Sequence, residues 1–222
     1  MLYVVATPIG NLGDITLRAL EALKSADVIA AEDTRYSGIL LKHFGIKKPL
    51  VSYHEHNEAM RAAQLVERLA ADENVALITD AGTPGLSDPG TRLIRECIKR
   101  ELRFTIIPGS SSILTALVGS GFSAEQFFFG GFLPVKSGQR QRELRAAAAR
   151  EETSAYFESP YRLTKTLAAC IDILPGRQLC IARELTKKFE EFRRGSASEL
   201  LAHYQVHPPK GELVLIISGR GD

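Results

Sequence analysis

Three short segments rich in glycine and proline hold many of the residues able to do chemistry in this 222-residue chain. They are Thr7-Pro8-Ile9-Gly10-Asn11, the run Asp80-Ala81-Gly82-Thr83-Pro84-Gly85-Leu86-Ser87-Asp88-Pro89-Gly90, and Pro108-Gly109-Ser110-Ser111-Ser112. Glycine lets a backbone come close to a ligand, and proline holds a loop still. Sharp strand-to-helix turns need the same residues, so one such loop has no functional meaning by itself. Three of them point to a nucleotide-sized ligand. No G-x-G-x-x-G follows a strand and no G-x-x-x-x-G-K-[ST] occurs, which excludes the dinucleotide fingerprint and the P-loop. The three loops carry no Lys or Arg, and Asp80 and Asp88 would repel a polyphosphate. A neutral or cationic adenosine compound fits better.

Charged clusters supply the second set. In Ala31-Glu32-Asp33-Thr34-Arg35, a carboxylate pair beside a guanidinium can orient a hydroxyl or take its proton. The same residues can cap a helix through Asp33 or Thr34, with an ion pair to Arg35, and the spacing leaves both readings open. His54-Glu55-His56-Asn57 offers two imidazoles without a third ligand, so a helix start at Asn57 is favoured over a metal, with substrate contact as the second choice. Glu158 and Tyr161, then Arg183-Glu184-Leu185-Thr186-Lys187, lie in charged turns, where an Arg183–Glu184 pair can serve structure alone. Lys136, Arg140, Arg142, Arg145 and Arg150 face a single acid, Glu143, giving +4 over fifteen residues. Such a run neutralises phosphates or is simply a solvated helix face.

The elements that must position these groups follow from pattern. With 45% hydrophobic and 24% charged residues, the chain has the balance of a folded protein rather than a disordered one. Its apolar runs are too short to span a bilayer, and Met1–Val5 has no basic stretch before it and reads as a strand. Cys97, Cys170 and Cys180 are odd in number and scattered, so neither disulfides nor a cysteine metal site is expected. A cytoplasmic protein with no membrane association follows. Strand-length apolar runs at Leu2–Thr7, Val28–Ala31, Leu50–Tyr53, Val75–Thr79 and Phe104–Ile107 alternate with helical patterns, one capped by Asp14 and one opened by Asn57. Five strands and single helices predict a mostly parallel sheet.

After about residue 110 the rhythm changes. A helix to Ser120, an aromatic run Phe127–Phe132, a basic helix Gln139–Arg150, the strand Ser154–Glu158 and the helix Tyr161–Leu174 follow in order. Strands at Gln178–Arg183, Phe189–Arg194 and Glu212–Ser218 and a capping box Ser196-Ala197-Ser198-Glu199 complete the chain. The expectation is two α/β domains, 1–112 with a five-stranded, mostly parallel sheet and 113–222 with a mixed sheet. The first half carries slightly more acid than base, while the second carries a net +3.

Taken in order, Ala6-Thr7-Pro8-Ile9-Gly10-Asn11-Leu12, Ala31-Glu32-Asp33-Thr34-Arg35, Asp80-Ala81-Gly82-Thr83-Pro84, Ser87-Asp88-Pro89-Gly90, Gly131-Phe132-Leu133-Pro134, Arg183-Glu184-Leu185-Thr186-Lys187 and Lys210-Gly211-Glu212 resemble the tetrapyrrole methylase superfamily. The match is closest to its ribosomal-RNA branch, which methylates a cytidine ribose 2′-oxygen in 16S RNA of the small ribosomal subunit. The resemblance implies S-adenosylmethionine (SAM) held between two α/β domains, no metal, and a homodimer. By position it assigns donor contacts to Pro8, Ala81, Gly82, Thr83, Leu86, Ser111, Ser112 and Leu185, and places Glu158 at a donor-contact position. Candidates for the group that takes the hydroxyl proton are Glu32, Asp33 and Glu158. Arg35, Lys136, Arg140, Arg142 and Arg183 are the expected RNA contacts. Ser110 and Ser112 stand where the branch often has Pro and Ala, Tyr161 where it often has His, and a C-terminal extension of many members is not expected here. The rival readings are a tetrapyrrole carbon methylase and a non-catalytic module that binds SAM or RNA.

Overall fold

The computed structural model describes residues 1–221 as two compact units, Met1–Ser111 and Ser112–Asp222. In the first, strands β1 (Leu2–Val5), β2 (Val28–Ala31), β3 (Leu50–Ser52), β4 (Val75–Ile78) and β5 (Phe104–Ile107) form one sheet in the order β3-β2-β4-β1-β5. Every pairing is parallel, with Leu2 opposite both Val75 and Phe104. Four helices join them: α1 (Leu17–Ser25), α2 (Thr34–His43), α3 (Glu58–Ala70) and α4 (Thr91–Lys99).

That strand order decides which face each helix covers. From β1 through β2 to β3 the chain steps one way across the sheet, and from β3 through β4 to β5 it steps back. Right-handed crossovers then put α1 and α2 on one face and α3 and α4 on the other. The two cores obey this. Val5, Ile29, Ala31, Ala76 and Ile78 pack with Ala19, Ala22, Leu23 and Leu41 from α1 and α2. Their immediate neighbours Val4, Val28, Ala30, Val75 and Leu77 pack with Leu65, Val66, Leu69, Leu93 and Cys97 from α3 and α4. Both faces are covered, so the strands read as unbroken apolar runs.

The second unit begins with α5 (Ser112–Ser120) and continues through β6 (Phe127–Phe132), α6 (Ser137–Ala149), β7 (Thr153–Glu158), α7 (Leu163–Ile173), β8 (Leu179–Arg183), β9 (Glu191–Gly195), α8 (Ala197–Val206) and β10 (Leu213–Ile217). Its sheet runs β6-β7-β10-β8-β9, with β6 and β7 parallel and the other pairs antiparallel, which is the mixed sheet expected. Leu144, Leu163, Leu167, Leu200 and Tyr204 of α6, α7 and α8 pack on Tyr156, Ile181 and Leu215. The helix α5 lies against β8, β9 and β10. A methyl group on its Gly119 would run into the Phe192 ring, so the close approach of α5 to β9 requires glycine there.

Local differences from expectation have local causes. Thr16, not Asp14, caps α1 by accepting from Ala19 N, and Asp14 closes a short 3-10 turn over Leu12–Asp14. Asn57 precedes α3 but does not cap it: its Oδ1 accepts from His54 N at 2.9 Å and its Nδ2 reaches Ser52. Arg183 and Glu184 do not pair with each other. Arg183 bonds Glu191 at 3.0 Å, and Glu184 pairs with Lys187 at 3.0 Å. The expected capping box at Ser196 and Glu199 forms.

Candidate active site

Strands β1 and β4 are neighbours whose connections leave in opposite directions, and open parallel sheets bind ligands at such a switch point, beyond the carboxyl ends of the strands. All three Gly/Pro loops end there, and the fold ties them together. Thr7 N donates to Gly82 O at 2.9 Å and Gly82 N to Thr7 O at 3.1 Å, a two-bond bridge between the loops after β1 and β4. Thr7 Oγ1 adds a bond to Thr79 O at 3.0 Å. The loop after β5 joins them: a methyl group on Gly109 would stand 3.0 Å from Ala6 Cβ, and Ser110 Oγ donates to Asp14 O at 3.4 Å. Gly82 sits at φ +80°, in the left-handed region that glycine tolerates. Ser87 also has positive φ (64°), an uncommon conformation for a residue with a side chain, immediately before Asp88.

Of the expected donor contacts in this unit, Pro8 and Gly82 are buried, Ala81, Thr83 and Ser111 are half-buried, and Leu86 is exposed. These loops suit SAM. The backbones pass within van der Waals reach of one another, the loops themselves carry no Lys or Arg, and the neighbouring carboxylates favour a sulfonium. In the second unit, Ser112 opens α5, and buried Leu185 lies between two residues with positive φ, Glu184 (49°) and Thr186 (64°). Gly211, at φ +84°, leaves room for the Glu184 carboxylate, which a methyl group would strike.

Carboxylates gather at the ends of β2 and β4. Asp80 Oδ1 accepts from Asp33 N at 3.1 Å, linking the two strand ends. Burial raises Glu32 above the ordinary carboxylate range, and the Asp80 charge adds to this. Asp80 is raised by burial as well. Asp88 is pushed up to about 6 by burial and then by the charges of Glu32 and Asp80. Burial raises all three acids, and like charges add to the rise at Glu32 and Asp88, so these groups take up protons more readily than ordinary carboxylates, as a general base requires. Asp33 behaves oppositely. It caps α2, accepting from Arg35 N at 2.8 Å and from the Arg35 guanidinium at 2.7 Å, which lowers it to about 2. Asp80 and Asp88 had been read from sequence only as groups repelling phosphate. A carboxylate two residues beyond a strand end, in a loop joined to another such loop, was the available signal.

Glu158 is not placed as a base. Its side chain is fully buried, with Oε1 accepting from Ser159 N at 2.6 Å and pairing with Arg162 at 2.8 Å, and Oε2 accepting from Thr166 Oγ1 at 2.5 Å. Every oxygen serves to fasten the start of α7 to the end of β7. The expected RNA contacts divide likewise. Arg140 is buried and donates to the carbonyls of Pro134 and Val135 at 3.3 and 3.1 Å, which corrects its reading as a phosphate contact. Arg150 lies over the Phe128 ring and bonds Tyr156 and Glu143. Arg183 is paired with Glu191 and Arg35 with Asp33. Lys136 and Arg142 are exposed. Cys97, Cys170 and Cys180 are buried with thiols pushed up by burial, and no cluster of metal-ligand type exists among the described residues.

The loops beyond the strand ends and the carboxylates beside them are those of a methyltransferase that uses SAM, a class that the family and the relatives of this chain show. The chain belongs to the family of Tetrapyrrole (Corrin/Porphyrin) Methylases, whose model matches residues 1–201. It is 46% identical over 220 residues to the Ribosomal RNA small subunit methyltransferase I of Synechocystis sp., covering 99% of this chain and 79% of that protein. It is 50% identical over 218 residues to the protein of the same name from Mesorhizobium japonicum, covering 97% and 74%. The solved uroporphyrin-III-C-methyltransferase of Thermus thermophilus shares the fold at 20% identity with a TM-score of 0.68, covering 98% of this chain and 93% of that one. Among the described residues no helix is long and apolar enough to cross a membrane.

Proposed function

We propose that this protein methylates the ribose 2′-oxygen of a cytidine in small-subunit ribosomal RNA, with Glu32 as the group that receives the hydroxyl proton. The observation that carries the chemistry is the grouping of Glu32, Asp80 and Asp88 beside the bridged loops after β1 and β4. Support for RNA as the acceptor comes from relatives 46–50% identical that are named for ribosomal RNA.

Bound SAM supplies a methyl group on a sulfonium sulfur, already activated for displacement. The residues of this chain have two tasks. The first is positioning, which in well-aligned cases contributes on the order of 7–11 kcal/mol to lowering the barrier. Pro8, Ala81, Gly82, Thr83, Leu86 and Ser111 are the donor contacts in the first unit, and Ser112 and Leu185 those in the second. The second task is proton removal. As the carbon–oxygen bond forms and the carbon–sulfur bond breaks, the 2′-hydroxyl proton passes to Glu32, which burial and the Asp80 charge keep basic. S-adenosylhomocysteine and the 2′-O-methyl ribose are the products. Lys136, Arg142 and Arg145 are exposed cations suited to phosphates.

The reading extends to a cytoplasmic homodimer. Leu114 and Val118 on α5, and Phe132 and Val135 after it, are exposed apolar side chains in support of a self-contact, which sedimentation would measure. Incubation with labelled SAM and, in parallel, small subunits lacking the modification or a tetrapyrrole precursor, followed by mapping of the product, tests the whole. Label on a cytidine 2′-oxygen is the expected result. Label on a tetrapyrrole precursor alone, or SAM binding without transfer to either acceptor, would replace it with one of the rival readings.

A further inference from the structure

A cavity of about 100 Å³ opens beside the carboxylate group, bounded by the loop after β1, the first turns of α2 and the end of β4. Its walls are of two kinds. Pro8, Leu12 and Leu40 are apolar, and Ser37, Thr79 and Asp80 are polar residues of its lining. Ser37 and Thr79 are each only 2% exposed, and the hydroxyl of neither finds a hydrogen-bond partner. Two unpartnered buried hydroxyls in residues that line one cavity are costly to a fold, and that cost is recovered when each side chain turns its hydroxyl to a ligand. Asp80 uses one oxygen for Asp33 N. The other has no hydrogen bond.

We infer that this cavity receives the base of the target nucleotide, turned out of its stack, and that Ser37, Thr79 and Asp80 select cytosine. This rests on the acceptor class proposed above and adds how the base is chosen. Cytosine presents two acceptors, O2 and N3, beside an amino donor at N4. Two hydroxyls can donate to the acceptors, and a carboxylate oxygen can accept from the amino group. Uracil would set its O4 against the Asp80 carboxylate and its N3–H where an acceptor is wanted. Pro8, Leu12 and Leu40 would meet the faces of a single ring. An enzyme acting on one nucleotide of a folded RNA must extract it, and reads it by its pairing edge once extracted. Sites built to hydrogen-bond a substrate reject analogues that leave their polar groups unpaired.

The test separates base choice from donor binding and from the acceptor class. Cytidine and uridine are titrated separately into the protein, followed by amide shifts in NMR spectra. Methyl transfer is measured on small subunits carrying C or U at the mapped position. Shifts confined to residues around Ser37 and Thr79, with cytidine only, are expected. Thr79→Val and Ser37→Ala should each lower the C-over-U ratio of kcat/KM about 10-fold. Asp80→Asn, whose amide can also donate to O4, should lower it at least as much, chiefly by improving uridine. Thr79→Val should also raise Tm, since it removes an unpaired buried hydroxyl, whereas a hydroxyl important only to the fold would lower it. SAM binding by calorimetry should be unchanged in Ser37→Ala. Unchanged C-over-U ratios in all three variants, with transfer to cytidine intact, would overturn the inference alone. Absence of transfer by the wild type together with no cytidine shifts would overturn it along with the proposed function.

Discussion

Glu32 and Asp33 are adjacent in sequence and opposite in chemistry. The Arg35 guanidinium holds Asp33 down at about 2, whereas burial and the Asp80 charge hold Glu32 up. Glu32→Gln should therefore reduce kcat by about 10²–10⁴-fold with little change in SAM affinity, as expected for loss of a general base. Asp33→Ala should instead cost helix stability through loss of the cap, measurable as a lower Tm. The rise of kcat/KM with pH should have its acid inflection above the ordinary carboxylate range, because burial and the Asp80 charge raise Glu32. Asp88→Asn removes a negative neighbour of Glu32, so that inflection should move to lower pH. The same substitution bears on stability. A carboxyl group whose affinity for protons is raised in the fold destabilises the fold once ionised, a penalty that grows from about pH 4 and is complete above about pH 6. Asp88→Asn should thus stabilise the protein at pH 7.5 by about 1 kcal/mol, after allowance for solvent screening at this half-buried position, and have no such effect at pH 3.5. Thermal melts at the two pH values check this, and equal shifts at both would contradict the charge argument.

Among the elements, the loop after β4 and strand β6 depend on glycine for different reasons. Gly82 lies at φ +80° within the two-bond bridge to Thr7, and the nearest atom to an added methyl group would be Ile9 Cγ2 at 3.8 Å. Space is available there and backbone conformation is not. Gly82→Ala should cost about 1–2 kcal/mol and loosen SAM binding, as calorimetry would register. Gly130 is the reverse case, a position in β6 where a methyl group would strike the ring of Tyr156. Tyr156 is fully buried and bonded to Glu143 and Arg150, so it has nowhere to move. The alternation of strands and helices was legible because both faces of the first sheet are covered and each strand is an uninterrupted apolar run. The caps were less so. Asp14 and Thr16 are both competent caps, and the 3-10 turn that consumes Asp14 leaves Thr16 to open α1.

At the scale of the whole molecule, the surplus of base in the second half does not translate into a surplus of free cations. Arg140 and Arg150 are spent on carbonyls and on a Glu–Tyr–Phe cluster, while Lys136, Arg142 and Arg145 remain exposed. Replacing Lys136 and Arg142 together with Gln should flatten the dependence of log K on log salt by ~1.4–1.8, since each neutralised phosphate contributes about 0.7–0.9. Arg140→Gln should leave that slope unchanged and lower Tm. By itself the sequence determined the two-part α/β plan, the covered parallel sheet, the loops beyond the strand ends and the family, because apolar period, turn residues and ordered motifs are local properties of a chain. Which carboxylates lie together was decided by strand order, which brings residue 32 beside residues 80 and 88. Which arginines are free, and which hydroxyls lack partners, was decided by packing. Charge type is written in the residue, but pairing and desolvation depend on neighbours that only the folded chain supplies.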